Sequence, residues 1–158
     1  MSLSKKIVSK KYIQSPSNAE VKAVVRLQNK KERDQTHSFG VEGIREISRA
    51  YEGGFVLQRL YCCEEVLSEA GLKFVETVQD KTDVITVSKE VFAKIAVREN
   101  SDGVFTIFQQ KHLSVDALCT KSGLGYFVLH NVEKPGNLGA LLRTAAACGV
   151  AGVFFTDL

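Results

Sequence analysis

The stretch His130-Asn131-Val132-Glu133-Lys134-Pro135-Gly136-Asn137-Leu138-Gly139-Ala140-Leu141-Leu142-Arg143-Thr144-Ala145-Ala146-Ala147-Cys148-Gly149-Val150 decides how this chain is read. Tyr126 to Val132, which runs into it, is almost continuously apolar, as strands buried on both faces of a parallel sheet are. Pro135-Gly136-Asn137 then predicts a tight turn, because Pro fixes one dihedral and Gly tolerates positive φ. Asn137 falls where a helix N-cap belongs. Leu138 to Cys148 is rich in Ala and Leu and predicts a helix, closed by Gly149. Val153 to Phe155 predicts a second buried strand. Together these segments make one β-α-β unit.

Arg143 lies one turn after Gly139 on the same helix face. A residue without a side chain beside a guanidinium leaves room for a ribose or a phosphate, and the guanidinium offers a planar fork of donors. A dinucleotide-binding turn would need G-x-G-x-x-G directly after a strand. Gly123-Leu124-Gly125 precedes a strand and Gly136 and Gly139 have another spacing, which excludes it. Judged on the β-α-β unit alone, Asn137 as a plain cap and Arg143 as a surface cation remain open.

Strand, P-G-N-x-G, Arg143-Thr144-Ala145 and the closing Gly149 stand in one register that resembles the first motif of SpoU-type (TrmH-like) RNA ribose methyltransferases of the knotted SPOUT superfamily. Cys148 stands where that family often carries an aromatic residue. The resemblance implies transfer of a methyl group from S-adenosylmethionine to a ribose 2′-hydroxyl, with Arg143 and Asn137 as catalytic-site residues. It implies that the later motifs (I-P-M-like and S-L-N-like), which hold the donor and build a homodimer, follow beyond Leu158. The expectation is therefore that no residue of this chain binds the cofactor and that these 158 residues alone are inactive.

Upstream, strand-like and helix-like segments alternate, which implies a layered α/β domain. Ser17-Asn18-Ala19-Glu20 fits a capping box and predicts a helix from about Asn18 to Arg33. On that helix Lys22, Asn29, Arg33, Arg26 and Lys30 share an arc of ~100°, opposite Val21, Val24, Val25 and Leu27. Further expectations are a strand at Ser38–Glu42, a helix at Gly43–Tyr51 and a strand at Phe55–Cys63. Glu64–Ala70 reads as a helix ended by Gly71, Val84–Val87 as a strand, Ser88 to about Ala96 as a helix and Val104–Phe108 as a strand, with Phe74–Val78 ambiguous. Ser15–Lys22 and Phe39-Gly40-Val41-Glu42-Gly43-Ile44-Arg45 are similar to the substrate-binding domain that precedes many SpoU-type catalytic domains, a three-layer α/β fold like RNA-binding ribosomal proteins. The resulting domain plan is a basic tail (1–14), an RNA substrate-binding domain (15–120), a linker (121–125) and an incomplete start of a methyltransferase domain (126–158).

Lys22, Arg26, Lys30, Lys31, Arg33 and Arg45 are the candidate RNA contacts, with rRNA favoured over tRNA; Arg98 is a weaker one. The alternative is a non-catalytic RNA-binding α/β module, or a phosphate-binding turn on a small α/β protein. The net charge of +3 permits an anionic partner without demanding one. No stretch reaches the ~18 apolar residues of a membrane span. Cys62, Cys63, Cys119 and Cys148 form no C-x-x-C pair and have no histidine at ligand spacing, so no metal is expected and the thiols read as reduced, mostly buried and cytoplasmic. His37, His112 and His130 read as ordinary polar residues.

Overall fold

The computed structural model describes residues 7–97, 102–111 and 125–156. The chain divides into two compact units, Met1–Lys111 and His112–Leu158. The proposed linker residues 121–124, and with them Arg98, His112 and Cys119, lie outside the described residues.

The first unit is a three-layer α/β sandwich. Its sheet has the order β1-β4-β3-β5-β2, built from β1 (Lys11–Ile13), β2 (Ser38–Glu42), β3 (Leu57–Cys62), β4 (Asp83–Val87) and β5 (Val104–Gln109). β4 runs parallel to β1 and β3, and β5 runs antiparallel to β3 and β2. Alternation along β3 shows why both faces are covered. Tyr61 and the following Cys63 enter one core, Leu60 and Cys62 the other. The first core is closed by α1 (Ala19–Arg26) and α5 (Lys89–Ile95), through Val21, Val24, Val91, Phe92 and Ile95. The second is closed by α3 (Ile44–Glu52) and α4 (Glu69–Val78), through Ile47, Phe74, Val75 and Val78.

Several elements differ from the expectations. The helix expected over Asn18–Arg33 is two, α1 and α2 (Lys30–Thr36). After Leu27 no apolar residue returns at helical spacing, and α2 buries none. The chain bends at Asn29, extended at ψ 129°, and Arg33 Nη1 donates to the carbonyls of Leu27 (3.1 Å) and Gln28 (2.8 Å). A cation just beyond the C-terminus of a helix is favoured by its dipole.

The capping box is displaced by one residue. Asn18 is the cap, and its Oδ1 accepts from Glu20 N at 2.8 Å. The Glu20 carboxylate is thereby released for other partners. Lys11–Ile13, assigned to the basic tail, is instead an edge strand, because Ile13 completes the first core.

Gly71 does not end a helix. Glu64–Val66 is a single 3₁₀ turn, and Ser68 caps α4, accepting from Gly71 N at 3.0 Å. Gly71 sits buried in the first turn, where an added Cβ would lie 2.6 Å from the Asp102 carbonyl oxygen. Asp102, at φ 53°, also accepts from Ile44 N at 3.1 Å through its carboxylate and from Ser68 N at 3.1 Å through its carbonyl. One turn thus caps two helices. Ser88 caps α5 as expected, accepting from Val91 N at 3.3 Å.

The second unit is β6 (Tyr126–His130), α6 (Pro135–Ala147) and β7 (Gly152–Thr156), with β6 and β7 parallel in register Tyr126↔Gly152 to His130↔Thr156. β6 stops at His130 because Asn131 turns with φ 52°. The strand is not buried on both faces among the described residues, and Val128 is 67% exposed. A single helix covers only one side of a two-stranded ribbon. Cys148 is exposed, unlike Cys62 and Cys63, which lie on opposite faces of the sheet as expected.

Gly71→Ala is expected to lower the stability of the first unit by ~1–3 kcal/mol, the usual cost of forcing atoms into a filled site. Gly139→Ala, whose Cβ would lie 3.5 Å from Arg143 Nη1, the far end of a flexible side chain, serves as the control. Urea melts showing equal losses for the two would contradict the Asp102 contact.

Candidate nucleic-acid interface

Two surfaces carry the residues singled out in the sequence. On the first unit, the elbow between α1 and α2 turns a flat stripe into a concavity. Arg26, Lys30 and Arg33 line one open depression of about 610 Å³ together with Val25, Gln28, Asn29 and Glu32. Arg26 is held loosely by Glu32 at 3.8 Å. Lys22 and Lys31 are exposed but do not line it. The Arg33 guanidinium is already engaged by the Leu27 and Gln28 carbonyls just past α1. Arg45 is exposed in the first turn of α3, whose buried Ile47 belongs to the core on the opposite face of the sheet. The structure therefore brings three of the six candidate contacts together.

Beside the elbow lies a charged network that sequence reasoning missed. Glu20 accepts from the Tyr61 hydroxyl at 2.8 Å, from Arg59 Nη1 at 3.1 Å and from Lys11 Nζ. Arg59 and Tyr61 are two apart on β3, so they share a face. A guanidinium and a phenol at that spacing in an apolar strand was the available signal, but Glu20 had been read as half of a capping box. Burial opposes the charged form of Glu20, yet the hydrogen bonds from Lys11 and Tyr61 and the charges of Lys11 and Arg59 outweigh it, and its pKa is lowered. Burial, then the bond to Glu20, raises the Tyr61 phenol. Burial likewise pushes the Cys62 thiol up to about 12, which makes it an inert core residue.

On the second unit, the P-G-N-x-G segment is not a separate turn. Lys134 is the cap residue, Pro135 opens α6 and Asn137 lies inside the first turn, with no side-chain cap bond. Gly136 is not among the positive-φ glycines, whereas Gly149 is, at φ 64°. The correction has a simple cause: Pro at the first helical position lacks only an N–H that the helix would leave unpaired anyway. Arg143 is exposed and leans back toward the helix start, with Nη1 3.5 Å from the place of a Gly139 Cβ. The guanidinium itself thus occupies the space over Gly139. His130 Nδ1 meets Thr156 Oγ1 at 2.6 Å, which ties the two strand ends together.

Among the described residues no three His, Cys, Asp or Glu side chains are grouped to hold a metal. No described helix is long and apolar enough to cross a membrane.

Residues 18–106 match the family described as MRM3-like substrate binding domain. The chain belongs to that family. It is also 25% identical over 147 residues to the 23S rRNA (guanosine(2553)-2′-O)-methyltransferase RlmP of Bacillus subtilis, covering 93% of this chain and 55% of that protein. A solved RNA 2′-O ribose methyltransferase superposes with TM-score 0.76 at 31% identity, over 93% of this chain and 56% of the other. An rRNA methyltransferase from Sinorhizobium meliloti gives 0.77 at 30% identity, over 92% and 54%. The chain spans about half the length of these relatives. The SpoU-type resemblance and the SPOUT fold class read from the sequence agree with them.

Because the folded pKa of Glu20 is lowered, its contribution to stability is full above the unfolded carboxylate value and is lost as pH falls through the folded one. Glu20→Gln is therefore expected to destabilise at pH 7, with the difference from the unchanged chain shrinking by pH 3. A pH-independent difference in urea melts would mean that the charge of Glu20 contributes nothing.

Proposed function

We propose that the protein carrying these two units is an S-adenosylmethionine-dependent RNA methyltransferase that modifies a ribose 2′-hydroxyl, with the first unit gripping the RNA. The likeness to the RNA 2′-O ribose methyltransferase, which runs through both units at 31% identity, carries this reading. Two of the relatives described above are named for rRNA, which supports rRNA over tRNA as substrate. A homodimer belongs to the same reading, on the resemblance to SpoU-type enzymes. A cytoplasmic location is supported by the free thiols of Cys62, Cys63 and Cys148. The domain plan is proposed with its first boundary moved back before Lys11, so that β1 joins the RNA-binding domain.

The chemistry of Arg143 suits the acceptor rather than the donor. A guanidinium would repel the positive sulfonium of S-adenosylmethionine. The donor, when bound, supplies the methyl group. A guanidinium offers donors and no acceptor, so the chemistry of Arg143 is to hold an oxygen. It can hold a phosphate or the ribose through its fork and fix the 2′-hydroxyl while the proton leaves. Asn137, exposed at the start of the same helix, adds a polar group one turn and a half away.

In the full-length protein Arg143→Ala is expected to slow methyl transfer by ~10²- to 10³-fold, as loss of one charge-assisted donor does, while donor affinity stays unchanged. Arg143→Lys should restore little, because a point charge does not reproduce the fork. Wild-type turnover in Arg143→Ala would make Arg143 a surface cation.

RNA binding by the 158-residue chain should fall steeply with salt, since each phosphate neutralised releases counterions. Replacing Lys22, Arg26 and Lys30 by Glu should weaken binding and flatten the salt slope. A slope that does not change with this variant would remove the elbow from the interface.

A further inference from the structure

A cleft of about 410 Å³ opens between α1, the end of α2 and the sheet, next to the basic elbow. Its size falls within the range of small-ligand pockets, ~300–1,000 Å³. Ala23, Leu27 and Ile107 form apolar walls, and Gln58, Ser38 and Arg59 supply polar atoms. At one end, Ser38 is buried at 7% exposure, and its hydroxyl lies 2.9 Å from the Thr36 carbonyl and 2.8 Å from Gln58 Oε1. A hydroxyl has one proton, so it satisfies only one of these acceptors at a time. At the other end, the single charge of Glu20 faces both Lys11 and Arg59, which leaves the rim positive.

We propose that this cleft receives one unpaired nucleobase of the RNA, adenine by its chemistry, with its edge on the Gln58 amide and its faces against Leu27, Ala23 and Ile107. A primary amide presents an acceptor and a donor side by side, the complement of an adenine edge with an amino group next to a ring nitrogen. Proteins that read RNA by sequence take splayed-out bases into such slots. The positive rim and the elbow with Arg26 and Lys30 would carry the flanking phosphates. The proposal deepens the RNA-binding reading of the first unit and rests on it.

The test uses the 158-residue chain, two hairpins of equal stem, one with an unpaired adenine bulge and one fully paired, and adenosine monophosphate as a separate probe. Two variants are compared, Ala23→Leu, which narrows the cleft from an exposed helical position, and Gln58→Ala, which removes the edge contact. Thermal melts confirm that both are folded. Each should bind the bulged hairpin ~10-fold more weakly, the discrimination of one good base contact, and the paired hairpin as before. In NMR titrations, adenosine monophosphate should shift the Gln58 side-chain amide and the Leu27 and Ile107 methyls, and Ala23→Leu should abolish those shifts. Unchanged binding of the bulged hairpin by both variants would overturn the cleft, even if the Lys22, Arg26 and Lys30 reversal weakened binding and so left the RNA reading standing. Shifts confined to lysines and arginines would overturn it as well. If the unchanged chain bound neither hairpin at low salt, the RNA reading itself would fall and this proposal with it.

Discussion

The Glu20 carboxylate is the constraint around which the first core and its surface are arranged. One oxygen takes the Tyr61 hydroxyl and Arg59 Nη1, and the other takes Lys11. These donors come from β3 and from the edge strand β1, while Glu20 itself rides on α1. A carboxylate taken partly out of water is favourable only where its lone pairs are filled. Filling them fixes how α1 lies across the sheet, and hence where its next residues, Ala23, Val24 and Leu27, form the wall of the cleft. Asn18 makes this possible by taking over the capping task at the helix start.

The opposite layer is held by a turn. Asp102 closes the starts of α3 and α4, one through its carboxylate and one through its carbonyl. Gly103, at φ 70°, allows the turn to press against Leu67, and Gly71 allows α4 to press against Asp102. A side chain at either glycine would meet backbone atoms, which cannot yield as a flexible side chain can.

Local rules made much of this legible in the sequence. Short apolar, β-forming stretches predicted β2, β3, β4, β5 and β6, and the Ser88 and Gly149 signals marked real helix ends. Three of the misses share a cause: a local pattern was overruled by a distant partner. Ser17 and Glu20 fit a capping box, but Arg59 and Tyr61, about forty residues on, claim the carboxylate. Gly71 looked like a helix stop, but Asp102 requires a glycine inside the helix. Lys11–Ile13 looked like a tail, but β4 offers it a ladder and the core needs Ile13. At the site, the identity of Arg143 and its relation to Gly139 were readable, whereas the elbow of α1 and α2 was not, because a helical wheel assumes one straight axis.

That elbow changes what the basic residues can do. On one straight helix, Lys22, Arg26, Lys30 and Arg33 would form a convex ridge that meets a phosphate backbone along a line. The bend at Asn29 lets Arg26, Lys30 and Arg33 surround one depression instead. Charges gathered around one shallow depression produce a stronger local potential than the same charges spread along a ridge. The bend is in turn held by Arg33, whose guanidinium binds the carbonyls of Leu27 and Gln28 just past α1. Arg33, one of the six candidate contacts, thus makes structural bonds of its own. Its bonds fix the path of the chain between Arg26 and Lys30.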